Sequence, residues 1–379
     1  MKPSLRSRSW RQKPQQKYSS HPSLRKFSCC FALGSTTAIA LGLLLFTTAS
    51  PLPPSSIEID PAGSLTQTED RLEQEEESNS SMILAAPRVV SLGLPFLVYG
   101  TAWKKERTAD LVAQAIRSGF RFIDTACQPK HYNEPLVGVG WTTAATELGL
   151  ARSDLYLQTK YTSVNGQDPN NIPYDPSLPK PEQVATSLRI SLQNLKTDYL
   201  DAWLLHGLER DVETTMQVYR AMEQAVDAET VKRIGVSNCY DIQTFRTIYE
   251  MARIKPTILQ NRFYGDAGWD QELRAFCKEH GIWYQSFWTL TANRQAIHGT
   301  EAREWAARKG LPSSETLLYA YLLSLGYGTP LDGTTSTEHM QEDIAVMNRV
   351  QQEFMGKNTE EKIFETDEDL KRFEKLLGF

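Results

Sequence analysis

The chain reads as a closed (β/α)8 barrel carried behind an N-terminal segment that does not belong to it. From residue 88 onward, short apolar runs alternate with stretches whose apolar residues recur at helical spacing. That rhythm belongs to parallel strands covered by helices. It repeats seven or eight times in about 270 residues, which suits a closed barrel. An open, doubly wound sheet would show a GxGxxG after its first strand, and Leu92-Gly93-Leu94-Pro95 does not supply one.

The elements follow in order. A helix is predicted over 106–118, then a strand at Phe120-Arg121-Phe122-Ile123. A strand over 154–159 precedes a helix over 181–195, and a strand over 199–205 precedes a helix over 212–226. The next pairs are 231–236 with 241–252, 257–260 with 270–279, and 282–287 with 313–325. Leu331 with its neighbours and a helix over 338–350 close the series, and a helical tail is expected over 356–379.

Composition narrows the class. The 379 residues are 40% hydrophobic and 23% charged, which sustains a packed core and excludes collagen-like or wholly disordered chains. Five cysteines without a CxxC pair build neither a disulfide framework nor a structural metal site. A net charge of −5 argues against a nucleic-acid surface.

Charge is segregated at the N-terminus. Residues 1–26 carry eight Lys or Arg and no acid, whereas 58–77 carry eight acids and Arg71. Between them, 27–50 is a run of 24 uncharged residues. That length suits a signal-anchor helix, and its dense apolar part, Ala38 to Phe46, is nearer signal-peptide length. Either reading directs the chain to a membrane system. The linker over 51–87, rich in Pro, Ser, Glu and Gln, is expected to be disordered and solvated. The barrel domain is expected over 88–355.

On such a barrel, chemistry sits at the C-terminal ends of the strands. Those ends present Asp124, Lys160, His206, Ser237-Asn238, Gln260 and Phe287, with Tyr132 eight residues beyond Asp124. Singly, each has a plain structural use: Asp124 or Ser237-Asn238 as a helix cap, Lys160 as a solvated loop residue, Phe287 as core. Together they have a chemical logic. A phenol can donate and accept a proton, a buried cation can tune it, a carboxylate can hold that cation, and an imidazole can orient a carbonyl oxygen.

Gly119-Phe120-Arg121-Phe122-Ile123-Asp124-Thr125-Ala126, continued by Asn133-Glu134 and Val137-Gly138, resembles the first signature of the aldo-keto reductase superfamily. Asp198-Tyr199-Leu200-Asp201 leading to Leu205-His206, and Ile234-Gly235-Val236-Ser237-Asn238, resemble two further landmarks. The resemblance covers about residues 88–350. It implies a carbonyl reductase using NADP(H) or NAD(H), with a catalytic tetrad of Asp124, Tyr132, Lys160 and His206. It implies that Ser237, Asn238 and Gln260 hold the nicotinamide carboxamide and that Phe287 stacks on the ring.

The family places its tyrosine three residues before the glutamate, where this chain has His131; Tyr132, beside it, supplies the phenol. Gly333-Thr334-Thr335-Ser336-Thr337 resembles the adenosine-phosphate loop. His339 stands where an arginine often binds the 2′-phosphate, which leaves the choice between the two dinucleotides open. The expected partner is a small carbonyl substrate. A second reading is a regulatory, NADP(H)-binding barrel subunit of a membrane protein, as in the similar barrels associated with potassium channels. The 20-residue loop over 161–180, with Trp103 and Trp288, is expected to shape an aromatic-lined pocket.

Overall fold

The structure, a computed structural model, describes residues 83–357 and 362–379. Eight strands form one sheet: β1 Val98–Gly100, β2 Phe122–Asp124, β3 Tyr156–Tyr161, β4 Ala202–Leu205, β5 Ile234–Ser237, β6 Ile258–Arg262, β7 Trp283–Phe287 and β8 Leu331–Asp332. Their spatial order is β7-β6-β5-β4-β3-β2-β1-β8, with parallel pairing between neighbours. The residues just before β8 lie beside β7. Tyr284 donates its N–H to Tyr327 O and accepts from Thr329 N, each at 2.9 Å, so the ring is nearly closed. The expected (β/α)8 architecture is the one observed.

The helices expected after the strands are present, with shifted ends: Thr108–Arg117, Lys180–Leu195, Val212–Asp227, Ile242–Met251, Gln271–Glu279, Ser314–Ser324 and Thr337–Phe354. Several starts are fixed chemically. Asp211, Asp241, Ser313 and Ser336 each accept, on a side-chain oxygen, the N–H three residues on. Such a cap stabilises a helix by about 1 kcal/mol.

A further helix, Glu134–Leu148, has no counterpart among the predicted ones. Asn133 caps it, Pro135 sits in its first turn, and Gly149 ends it at φ +66°. Its glycines are needed for close approach. A Cβ on Gly138 would lie 2.1 Å from Asn194 O, and one on Gly140 would lie 2.5 Å from Ala109 O. Short helices also fill Thr289–Ala292, Arg294–Ile297 and Thr300–Arg308, and Asp367–Leu377 is helical within the expected tail. Ala86–Ser91 forms a helix across the expected boundary at residue 88, and its Ala86 and Val89 are buried in the core.

The barrel interior is built in layers, because residues two apart on a strand face the same way. Phe122 pairs with Tyr156 and Ile258 with Trp283. Phe96, whose ring stacks on Phe122 at 3.8 Å and meets Trp283 edge-on at 4.9 Å, forms an aromatic floor with Phe122, Tyr156 and Trp283. Two residues on, Asp124 pairs with Gln158 and Gln260 with Gln285, giving a polar middle layer. Two residues further, Lys160, Arg262 and Phe287 reach the mouth.

The leader 1–26, the apolar segment 27–50 and nearly all of the linker 51–87 lie outside the described residues. Among the described residues, no helix is long and apolar enough to cross a membrane, and no three side chains are grouped to hold a metal ion.

Candidate active site at the barrel mouth

Asp124 and Lys160 form the buried centre. Lys160 Nζ donates to Asp124 Oδ1 at 2.7 Å, to Oδ2 at 2.5 Å and to Thr125 O at 2.8 Å. Neither side chain caps a helix or reaches bulk water. Burial lowers the ammonium's pKa, and Asp124 opposes the shift. The middle layer holds the carboxylate in turn. Gln158 Nε2 donates to Asp124 Oδ1 at 2.6 Å, Gln260 Nε2 does so at 3.1 Å, and Gln285 Oε1 accepts from both amides.

Tyr132 and His206 stand over this pair. Lys160 Nζ is 5.3 Å from the Tyr132 ring centroid, and the Tyr132 and His206 rings are 5.8 Å apart at 69°. Four residues predicted from strand ends and one adjoining loop are therefore brought together. His131 lies to one side, its ring 3.9 Å from that of Trp103, and adds a smaller downward push on His206. The electrostatics correct one expectation. Lys160 is committed to Asp124, so burial dominates Tyr132 and pushes its phenol well above the ordinary range, with Asp124 adding to the shift. The hydroxyl is protonated at neutrality, which suits an acid better than a base. Burial, then the Lys160 charge, holds His206 well below its ordinary value, so the imidazole is neutral. Its Nδ1 lies 2.6 Å from Thr162 Oγ1.

Glu134, buried at the start of its helix, ties the loop bearing Tyr132 to the barrel wall. Its carboxylate accepts from Thr159 Oγ1 at 2.5 Å, Ser191 Oγ at 2.9 Å and Asn194 Nδ2 at 3.0 Å. The loop after Lys160 folds back over the same side. Tyr174 donates its hydroxyl to Thr162 O at 2.6 Å, and Gln167 Nε2 donates to Cys127 O at 2.9 Å. A cavity of about 240 Å³ there has Tyr132, Glu134 and Pro173 in its walls.

On the opposite side, Ser237 Oγ donates to Gln260 O at 2.8 Å. Asn238, at φ +56°, donates its amide to His206 O at 2.7 Å. These two residues do not cap the following helix, because Asp241 does. Phe287 is partly exposed at the end of β7. Trp103 and Trp288, at φ +64° and +56°, are 61% and 51% exposed, and like Asn238 they are left-handed non-glycine residues at the mouth. Backbone of that kind costs free energy and concentrates at functional sites.

At β8, Thr334 N donates to Asp332 Oδ1 at 2.8 Å, and Ser336 caps the helix Thr337–Phe354. Gly333 and His339 are exposed. Lys104, which strand-end reasoning missed because it lies in the loop after β1, donates to Gly333 O and sits 5.5 Å over the Tyr99 ring. Gly333 to Ser336 thus combines a helix N-terminus, hydroxyls and one nearby ammonium, a donor set suited to phosphate. Gln158, Gln285 and Arg262 were also missed, although counting by twos from Tyr156, Trp283 and Ile258 points to them.

The Aldo/keto reductase family model matches residues 96–360. Over 267 residues the chain is 28% identical to glycerol 2-dehydrogenase (NADP(+)) of Hypocrea jecorina, covering 62% of this chain and 78% of that one. Over 171 residues it is 33% identical to glyoxal reductase of Bacillus subtilis, covering 45% and 54%. The crystal structure of an aldo/keto reductase from Brucella melitensis superposes with a TM-score of 0.57 at 21% identity, covering 74% and 94%, which supports the fold.

Proposed function

The chain belongs to the aldo/keto reductase family as an NAD(P)-dependent oxidoreductase acting on carbonyl groups, and on that premise we propose that it reduces small aldehydes and ketones to alcohols with Tyr132 as the proton donor. The carrying observation is the packing of the Tyr132 ring beside both Lys160 and His206, over the Asp124 pair. Ser237, Asn238, Gln260 and Phe287 would hold the nicotinamide. Lys104, Gly333, Thr334 and Ser336 would hold the phosphates, with exposed His339 near the 2′ position. The bound dinucleotide supplies the hydride.

The chain's residues supply the rest. We assign the neutral His206 its proton on Nε2, with Nδ1 accepting from Thr162 Oγ1, so that Nε2 can donate to the carbonyl oxygen and orient it. The protonated Tyr132 hydroxyl gives its proton to that oxygen as negative charge develops there. Lys160 lies close enough to the ring to stabilise the phenolate left behind, and Asp124 keeps the ammonium in place. The two relatives, a glycerol 2-dehydrogenase and a glyoxal reductase, support small polar carbonyl compounds as substrates.

The test is Tyr132→Phe. We expect carbonyl reduction to fall at least about a hundredfold, the scale for losing a general acid, with dinucleotide affinity unchanged. A mutant at wild-type rate, with His131→Ala inactive instead, would move the donor to His131. Tight dinucleotide binding without turnover in the wild type would favour the regulatory-subunit reading. We also propose that residues 27–50 bring the full chain to a membrane system. Carbonate extraction compares it with a chain begun at Met82, which keeps Ile83 against Gly119; release of both into the soluble fraction, uncleaved, refutes this.

A further inference from the structure

Arg262 has no role in the chemistry just described, and its surroundings are unusual for a guanidinium. It ends β6, two residues beyond Gln260 and paired with Phe287, so it shares the inward and upward face of the residues that line the mouth. Its guanidinium carbon lies 4.0 Å from the Trp288 ring centroid, 5.3 Å from Tyr264 and 5.9 Å from Phe287. Its Nε is buried without an acceptor. Among the described residues no carboxylate comes within ion-pair distance of it, although Asp266 shares the same cavity wall. That cavity, of about 480 Å³, is also walled by Trp269, Thr291 and Gln295. Its volume is that of a small-molecule site.

A guanidinium held between aromatic faces is fixed in position while its N–H fork remains directed at whatever enters, and a planar fork matches a carboxylate in a two-point bond. A buried N–H without a partner costs free energy that an incoming acceptor would recover. The aromatic walls suit a flat or apolar body behind the anion.

We propose that Arg262 and the cavity beside it form a subsite for an anionic group on the substrate, so that the enzyme selects carbonyl compounds bearing a carboxylate on an apolar or aromatic frame. This rests on the reductase reading and adds a substrate class to it. The cavity opens between the loops after β6 and β7, away from the phosphate-suited donors Lys104, Gly333 and Ser336 at β8. Because Arg262 also adjoins Phe287, the KM for NADPH separates a substrate anion from the dinucleotide.

The experiment pairs 4-carboxybenzaldehyde with 4-methylbenzaldehyde, measuring kcat/KM for the full-length wild type, Arg262→Met and Arg262→Lys. The wild type should prefer the carboxylate. Arg262→Met should lower the ratio of the two kcat/KM values at least tenfold, with Arg262→Lys intermediate because it keeps the charge and loses the fork. A second readout needs no turnover. Terephthalate should quench tryptophan fluorescence saturably in the wild type, through Trp288, and not in Arg262→Met. An unchanged ratio overturns the proposal, as does a raised KM for NADPH with the aldehyde preference intact, which would assign Arg262 to the dinucleotide. If neither aldehyde is turned over by the wild type, the reductase reading has failed, and the terephthalate titration alone decides the subsite.

Discussion

Replacing Lys160 by methionine would remove the only ammonium in contact with Asp124 among the described residues and leave a fully buried carboxylate facing two glutamine amides. Methionine fills much the same volume, so the damage is electrostatic rather than steric. Breaking a buried ion pair by deleting one partner costs about 3–5 kcal/mol, because the remaining charge is left uncompensated. Asp124→Asn leaves the mirror-image defect, a buried ammonium whose remaining acceptors are Thr125 O and the new amide oxygen. In the double variant neither charge remains, and Gln158, Gln260 and Gln285 can re-form an amide network. Its destabilisation should therefore fall short of the sum of the two single values by at least about 2 kcal/mol, well beyond the few tenths expected of independent sites. Urea unfolding followed by tryptophan fluorescence and far-UV circular dichroism measures all four corners of the cycle. Additive values, or a Lys160→Met cost under about 1 kcal/mol, would refute the claim that this pair is dry and mutually dependent.

Further predictions concern pH and the dinucleotide. His206 is held below its ordinary value, so below about pH 6.5 the unfolded chain takes up a proton that the folded one refuses. Stability should then fall with pH by up to about 1.4 kcal/mol per unit from this residue, and His206→Gln should remove that slope in pH-resolved urea titrations. Asp343 is pushed up to about 9 by burial and by Asp332, so it stays protonated when folded and ionises when unfolded. Its contribution is present in acid and is lost as pH rises towards 9. Asp343→Asn should therefore raise the melting temperature at pH 8 and not at pH 4, and equal shifts at both would contradict the pairing with Asp332. Lys104→Met should weaken NADPH and NADH binding by similar factors, about tenfold each, in fluorescence titrations. With hydroxyls and His339 at the phosphate loop, wild-type discrimination between the two dinucleotides should stay under about a thousandfold at pH 8.

What the sequence disclosed and what it withheld divide along a physical line. Strands announce themselves by apolar runs, and their ends are where the runs stop, so Asp124, Lys160 and His206 could be found by position alone. The same rule hides whatever lies inside a run. Gln158 and Gln285 are polar residues inside their strands, and only the ring of eight strands shows that Gln158 meets Gln260 on the Asp124 carboxylate while Gln285 joins the two amides. The helix Glu134–Leu148 was hidden for the opposite reason. Gly138, Gly140, Thr142 and Thr143 weaken helix propensity in isolation, yet the glycines are what let this helix seat against Asn194 and Ala109. The choice between His131 and Tyr132 lay beyond counting, since the two are adjacent and the resemblance points to position 131 while only position 132 offers a phenol. Both backbone N–H groups donate to Gln128 O, at 3.2 and 3.1 Å, and this turn sends one ring outward to Trp103 and the other inward over Lys160. Arg262 combines both difficulties. It sits at a strand end, yet alone it reads as a surface arginine; its meaning comes from three aromatic rings, one at the end of β7 and two in the loops after β6 and β7. Register along a strand can be counted from one residue, but what a residue faces across the mouth is set by its neighbours' loops, and that is the part of a site that coordinates add.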